Sequence, residues 1–382
     1  MTGRAWLAEL AWLPDGRLRA NVLIQAEGDR FSAVTPDPAQ LPADVIRLAG
    51  VTLPGLANAH SHAFHRALRG ITQASRGTFW TWRERMYEVA GRLTPDSYLE
   101  LATAVYAEMA LAGISCVGEF HYLHHGQGGV PYADQNEMGR ALTEAAALAG
   151  IRITLLDTCY LSGGLGQDGS RLPLTAAQLR FGDADGDAWA ARVDGLGADE
   201  RGRLSPAARL GAAIHSVRAV PPEQTRAITA WSHRHGAPLH VHLSEQVAEN
   251  RASLAAYRRT PAEVLYDCDA LGPRTSVVHA THLSERDIGL LGESRCYACF
   301  CPTTEADLAD GIGPAAELSG AGCQLTLGSD SHAVIDLLEE ARRVELGKRL
   351  AGIFTYDERM AAAAREAGLS VHTPGAEIAP GR

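Results

Sequence analysis

Lysine is almost missing from this chain: of 35 basic residues besides histidine, only Lys348 is a lysine and the rest are arginine. Positive charge in excess is missing too, because 45 acidic residues outweigh the basic ones and leave a formal net charge of −10. Such a balance argues against a nucleic-acid partner or an anionic membrane surface, neither of which it would attract. A disulfide framework is lacking: the seven cysteines are odd in number and scattered. The tightest group, Cys296, Cys299 and Cys301, has no fourth ligand at similar density, which excludes a zinc knuckle and leaves buried, reduced thiols. Long apolar runs are absent as well. Nothing reaches the length of a membrane span, and the apolar stretch 1–13 is broken by Glu9 with no cleavage site after it. No internal repeat or low-complexity tract occurs. These absences point to a soluble, cytoplasmic enzyme that acts on a small molecule.

What is present is size and rhythm. A chain of 382 residues, 46% hydrophobic and 21% charged, is long enough for a large barrel or two domains. Residues 1–50 read as short strands and turns (6–12, 20–26, 30–34), the N-terminal part of a small β domain. From residue 51, apolar β-branched runs alternate with alanine-rich helical stretches, the pattern of a parallel sheet. Eight runs are expected as strands: 51–60, 114–121, 151–159, 211–215, 238–243, 276–280, 296–301 and 324–330. Thr94-Pro95 and Thr260-Pro261 mark helix starts, the second with Glu263 three residues on. The segment 161–205, rich in Gly and Asp, reads as an exposed loop or an excursion over the barrel mouth. Its Asp183-Ala184-Asp185-Gly186-Asp187 lacks the remaining ligands of a calcium loop.

Seven of the eight expected strands carry His or Asp within their last three residues, and a (β/α)₈ barrel gathers those ends at one face. His60-Ser61-His62 closes the first strand, and alternating residues on an extended strand point the same way. His240-Val241-His242-Leu243-Ser244-Glu245 closes the fifth, His279-Ala280-Thr281-His282 the sixth, and Gly328-Ser329-Asp330-Ser331-His332 the eighth. Each alone is weak, since a histidine pair can simply be a strand terminus. Together they supply three imidazoles and a carboxylate for a metal, with acid–base groups to spare.

This arrangement resembles the amidohydrolase superfamily. Four further segments narrow the resemblance to the formimidoylglutamate deiminases of histidine degradation: Thr78-Phe79-Trp80-Thr81-Trp82-Arg83, Glu119-Phe120-His121-Tyr122, His215-Ser216-Val217-Arg218 and the run Cys301-Pro302-Thr303-Thr304-Glu305 onward to Gly311. It spans roughly residues 50 to 345. The resemblance implies an α/β fold, a TIM-type (β/α)₈ barrel over 51–350. A small flanking β-sandwich is to be built from both termini, with 351–382 returning towards it. Relatives usually continue through a strand that completes this sandwich, so it is expected to be incomplete at the C-terminus, with edge strands left unpaired. The resemblance also implies one divalent ion, zinc, on His60, His62, His242 and Asp330. A homodimer is the expected assembly. Binuclear relatives bridge their metals with a carboxylated lysine at a strand end. Lys348 lies beyond the eighth strand, so a single metal is expected.

The implied reaction is attack of a metal-activated water on the formimidoyl carbon of N-formimidoyl-L-glutamate, releasing ammonia. Asp330 would accept the water's proton, Glu245 would protonate the imino nitrogen, and His279 would hydrogen-bond to the water or the tetrahedral intermediate. Arg83 and Arg218 would clamp the substrate carboxylates, assisted by Tyr122 and His215. His65 stands where many relatives carry glutamine, and a histidine there can still donate to a carboxylate. Two alternatives stay open: a deaminase of a nucleobase or other heterocycle, and a catalytically silent binding protein.

Overall fold

The computed structural model describes residues 3–28, 30–71, 79–198 and 204–355. The chain begins with four strands, β1 (Arg4–Trp12), β2 (Leu18–Glu27), β3 (Arg30–Pro36) and β4 (Ile46–Thr52), in the order β3-β2-β1-β4. The first two pairings are antiparallel, while β4 runs parallel to β1. The expected first barrel strand, 51–60, is therefore split. Val51 and Thr52 belong to this small sheet, and the barrel strand starts only after Pro54 and Gly55. Proline has no N–H for a ladder, and a side chain at Gly55 would lie 2.3 Å from the Ser115 hydroxyl. The break has a steric cause.

Eight parallel strands follow: β5 (Leu56–Ser61), β6 (Ile114–His121) and β7 (Arg152–Cys159), then, after a two-residue hairpin β8 (Gly164–Leu165) and β9 (Arg171–Leu172), β10 (Ala208–Ile214), β11 (Leu239–Leu243), β12 (Thr275–His279), β13 (Tyr297–Phe300) and β14 (Gln324–Leu327). Neighbours pair in that order without β8 and β9. The last strand returns to the first through a parallel bridge between Ser61 and Asp330. His62 N donates to Asp330 O at 3.2 Å, and Asp330 N donates to His60 O at 3.0 Å. The barrel thus closes on the residues expected to carry its chemistry.

The helices are α1 (Phe79–Ala90), α2 (Pro95–Leu111), α3 (Glu137–Ala149), α4 (Gly186–Ala198), α5 (Pro222–His235), α6 (Val247–Tyr257), α7 (Pro261–Asp267), α8 (Glu285–Glu293), α9 (Pro302–Asp307), α10 (Ala315–Ala321) and α11 (Leu337–Thr355). Both sequence-marked starts carry capping boxes: Thr94 accepts from Ser97 N, and Thr260 accepts from Glu263 N. The Asp-rich run is a short loop, exposed at Ala184 and Asp185, that leads into α4. Asp185 accepts from Ala188 N at the start of α4, and Asp183 pairs with the buried Arg192 at 2.9 Å. Cys296, Cys299 and Cys301 are buried free thiols. Of the expected C-terminal segment 351–382, only the end of α11 is described, and 356–382 lies outside the described residues. Among the described residues no helix is long and apolar enough to cross a membrane.

Candidate metal centre and active site

Strand β5 delivers His60 to the barrel interior. The chain then turns into a short 3₁₀ segment at Ala63, leaving His62 still extended (φ −125°). The buried carboxylate of Glu119 at the end of β6 secures that turn, accepting from Ser61 Oγ at 2.5 Å and Ala63 N at 2.6 Å. Burial pushes its pKa up to about 8. His242 comes from the end of β11. Asp330 comes from just beyond β14, where its backbone is left-handed (φ 42°).

Four ligand atoms converge. His242 Nε2 lies 3.2 Å from His60 Nε2 and 3.3 Å from His62 Nε2, while Asp330 Oδ1 lies 3.3 Å and 3.4 Å from the same two nitrogens. His62 Nδ1 faces the carbonyl of Phe120 at 2.8 Å, and His242 Nδ1 faces that of His215 at 3.0 Å. A carbonyl only accepts, so the protons sit on Nδ1 and the Nε2 lone pairs point at one another. Burial lowers the pKa of His60, His62 and His242, keeping all three imidazoles neutral. Burial works against the Asp330 carboxylate, yet its hydrogen bond with His60 and the positive charge on His279 hold it below the usual range. Buried lone pairs facing each other are unfavourable unless a cation sits between them. Each of these separations suits two ligand atoms bonded to one ion at about 2 Å, the length of a zinc–nitrogen or zinc–oxygen bond. The donor set fits a divalent metal.

A second buried group, His121, His124 and Asp157, does not. Arg192 donates to both oxygens of Asp157, at 2.8 and 2.9 Å, and Trp189 Nε1 adds a third donor at 3.0 Å. The guanidinium already fills the cation's place.

Beside the four donors lie the acid–base groups. His279 ends β12 with left-handed backbone (φ 67°). Its Nδ1 lies 3.3 Å from Glu305 Oε1, and its Nε2 lies 3.8 Å from Glu245 Oε1. Burial alone would lower the His279 pKa, but Glu245, Glu305 and Asp330 together raise it well above the ordinary value. Asp310 is close by, its pKa pushed up by burial and by Glu245 to about 8.

A cavity of about 180 Å³ opens over this floor. Its lining includes His62, His242, Asp330, Glu245 and His279 on one side, with His65, Arg83, Tyr122, His215 and Arg218 around them. Of the residues expected to form the site, only the fully buried His60 does not line it. Tyr122 Oη lies 2.9 Å from His65 Nε2, and burial lowers the His65 pKa to about 3. Burial and the neighbouring Arg218 and Arg83 keep His215 neutral as well. Arg83 donates to Tyr87 Oη at 2.6 Å.

Residues 51–367 match the amidohydrolase family profile. The chain belongs to the amidohydrolase family. Among relatives of this amidohydrolase, the formimidoylglutamate deiminase of Pseudomonas aeruginosa is 38% identical over 91% of this chain and 75% of its own length. The 8-oxoguanine deaminase of the same organism is 32% identical over 78% of this chain and 64% of its own. A crystal structure of an amidohydrolase from Brucella melitensis superposes with a TM-score of 0.82 at 35% identity, covering 91% of this chain and 76% of that one. The chain is an amidohydrolase-family hydrolase that acts on C–N bonds.

Sequence reasoning assigned no role to several groups that this amidohydrolase builds into its site. Glu119 and Glu305 both lie in segments that carried the resemblance, but a glutamate has no spacing signature of its own. Their partners, Ser61 and His279, become visible only once the barrel is closed. Glu249, buried beneath Arg218, had no signal at all.

Proposed function

We propose that this amidohydrolase converts N-formimidoyl-L-glutamate and water into N-formyl-L-glutamate and ammonia, a step of histidine degradation in the cytoplasm. The observation that supports this reading is the placement of Arg83 and Arg218 on the wall of the cavity whose floor is the four-donor cluster. An amidine carbon can sit over the donors while carboxylates reach the guanidinium groups, whose planar forks suit them.

His60, His62, His242 and Asp330 would hold the ion. A divalent metal bound there lowers the pKa of water so that it can act as a nucleophile near neutral pH. As the new C–O bond forms, Glu245 carries one proton of the water to the imino nitrogen. Asp330 takes up the water's other proton as the C=O bond forms and passes it to the same nitrogen, which leaves as ammonia when the C–N bond breaks. His279, held by Glu305 on its far nitrogen, donates a hydrogen bond from Nε2 to the oxygen that becomes negative in the tetrahedral species. General acid–base help of this kind contributes about 10²–10⁴-fold.

A second reading draws on the 8-oxoguanine deaminase relative: a deaminase of a flat heterocycle. The cavity speaks for the first, because a ring without carboxylates has no use for two arginines. Ammonia release from N-formimidoyl-L-glutamate, 8-oxoguanine and guanine, measured on zinc-loaded protein, separates them. Turnover of the formimidoyl compound is expected, and turnover of the rings alone would replace the first reading with the second. Glu245→Gln is expected to keep its zinc and lose nearly all activity; a variant as active as the wild type would remove Glu245 from the proton path.

A further inference from the structure

Arg218 does not meet the cavity as an isolated cation. Its Nη2 lies 3.5 Å from Glu245 Oε2, and its Nε lies 3.5 Å from Glu249 Oε2. The side chains of Glu245 and Glu249 are 9% and 0% exposed, and that of Arg218 is 17% exposed. Both contacts are ion pairs longer than a good hydrogen bond. Among the described residues Arg218 Nε has no hydrogen-bond partner, and burial raises the Glu249 pKa against the pull of Arg218 and of the Ser244 and Glu245 backbone N–H groups. One guanidinium is shared, loosely, between two carboxylates. One of them is buried on α6, and the other lines the cavity beside His279.

The two contacts use different nitrogens of the guanidinium. Nε reaches the buried Glu249, and Nη2 reaches Glu245. If Nη2 lets go of Glu245, Glu249 still compensates the charge, so no unpaired buried cation results. A carboxylate arriving in the cavity can therefore take the place of Glu245 on Nη2, one anion for another. Glu245, the group assigned the proton transfer, would then be free to turn to the reacting nitrogen.

We propose that Arg218 is a latch on Glu245 which a substrate carboxylate releases, so that the enzyme's proton carrier becomes available only when an anionic substrate is bound. This rests on the proposed roles of Glu245 in proton transfer and Arg218 in carboxylate binding. It adds a consequence: discrimination against amidines without a carboxylate appears in kcat as well as in KM, because remote binding is converted into chemistry. An arginine that merely held the substrate would affect KM alone.

The test uses zinc-loaded full-length protein and N-methylformamidine, an amidine with no carboxylate, assayed for ammonia with and without glutarate. Glutarate is expected to raise kcat for N-methylformamidine by roughly tenfold or more, by opening the latch from outside. The double variant Arg218→Gln/Glu249→Gln, which removes the cation together with its buried counter-ion, is expected to reach a comparable kcat without glutarate and to ignore it. No stimulation of the wild type by glutarate, or no turnover of N-methylformamidine even with it, overturns the latch, whether or not the variant folds. If formimidoylglutamate is turned over but glutarate does not stimulate, the latch falls and the substrate assignment stands. If glutarate stimulates but formimidoylglutamate is inert, the substrate assignment falls and the latch stands.

Discussion

Left-handed backbone at residues other than glycine is uncommon, yet Ser244, His279, Ala280, Asp330 and His332 all adopt it, with φ between 42° and 67°. They sit at the ends of β11 and β12 and just past β14, where the chain must bend so that donors from separate strands meet. Such conformations cost on the order of 1–3 kcal/mol each and persist because the surrounding barrel imposes them. At this scale the distances assign separate tasks. His242→Ala and Asp330→Ala each remove a corner of the four-donor cluster, so zinc retained after dialysis, measured by atomic emission, should fall from about one equivalent to a small fraction. His279→Ala leaves the cluster whole and should keep its zinc; loss of metal from that variant would show that His279 is a ligand. Glu305 accepts from Cys301 N at 2.9 Å and faces His279 Nδ1. Glu305→Gln should therefore retain zinc while kcat falls roughly 10–100-fold, and an unchanged kcat would remove Glu305 from the positioning of His279.

Helix ends carry measurable stability in this fold. Thr260 caps α7 and also donates to Asp287 at 2.5 Å, and Asp287 in turn serves the cap of α8 at Ser284. Thr260→Ala should cost about 1–2 kcal/mol in urea unfolding, because one hydroxyl serves two helix starts. A second test concerns α11. Glu340 is buried there, accepting from Thr303 N and Oγ1 at the start of α9. Burial raises its pKa from 4.5 to about 7. The folded state thus holds a proton more tightly than the unfolded one, and stability present at low pH is lost as pH rises between those two values. Relative to Glu340→Gln, the wild type should lose on the order of 1–3 kcal/mol between pH 4.5 and 8; parallel stability curves would show that burial does not raise the Glu340 pKa. The elements also show what was readable in advance. Strand ends rich in histidine, and the Thr-Pro helix starts, are local signals, and they marked both the barrel and its metal face. The seam at Pro54 was misplaced because the apolar pattern runs through it; Pro54, which has no ladder N–H, and the close approach of Ser115 to Gly55 explain the break. Glu249 and Arg218 lie on neighbouring βα units, 31 positions apart, so their pairing depends on strand order, which no local pattern encodes.

For the whole molecule, the four donors join β5, β11 and the end of β14, the first, fifth and eighth strands of the barrel. Asp330 also forms the bridge that closes the sheet. A metal bound there ties the closing seam to the opposite wall, whereas the metal-free protein must hold the buried nitrogen lone pairs of His62 and His242 against each other. Binding to the folded state alone stabilises it by about 4 kcal/mol when free metal exceeds its dissociation constant a thousandfold. In a protein of this size each kcal/mol moves the melting temperature by roughly 2–4 °C or somewhat less. Stripping the metal with a chelator, followed by desalting, should therefore lower the Tm by several degrees, and zinc should restore it where magnesium does not, since magnesium prefers an oxygen octahedron. His242→Ala should melt at the same temperature with or without added zinc, while Glu245→Gln, outside the cluster, should respond as the wild type does. A wild-type Tm indifferent to metal removal, with the loss of metal verified, would mean that the seam closes without help from the ion and that the four side chains meet for another reason.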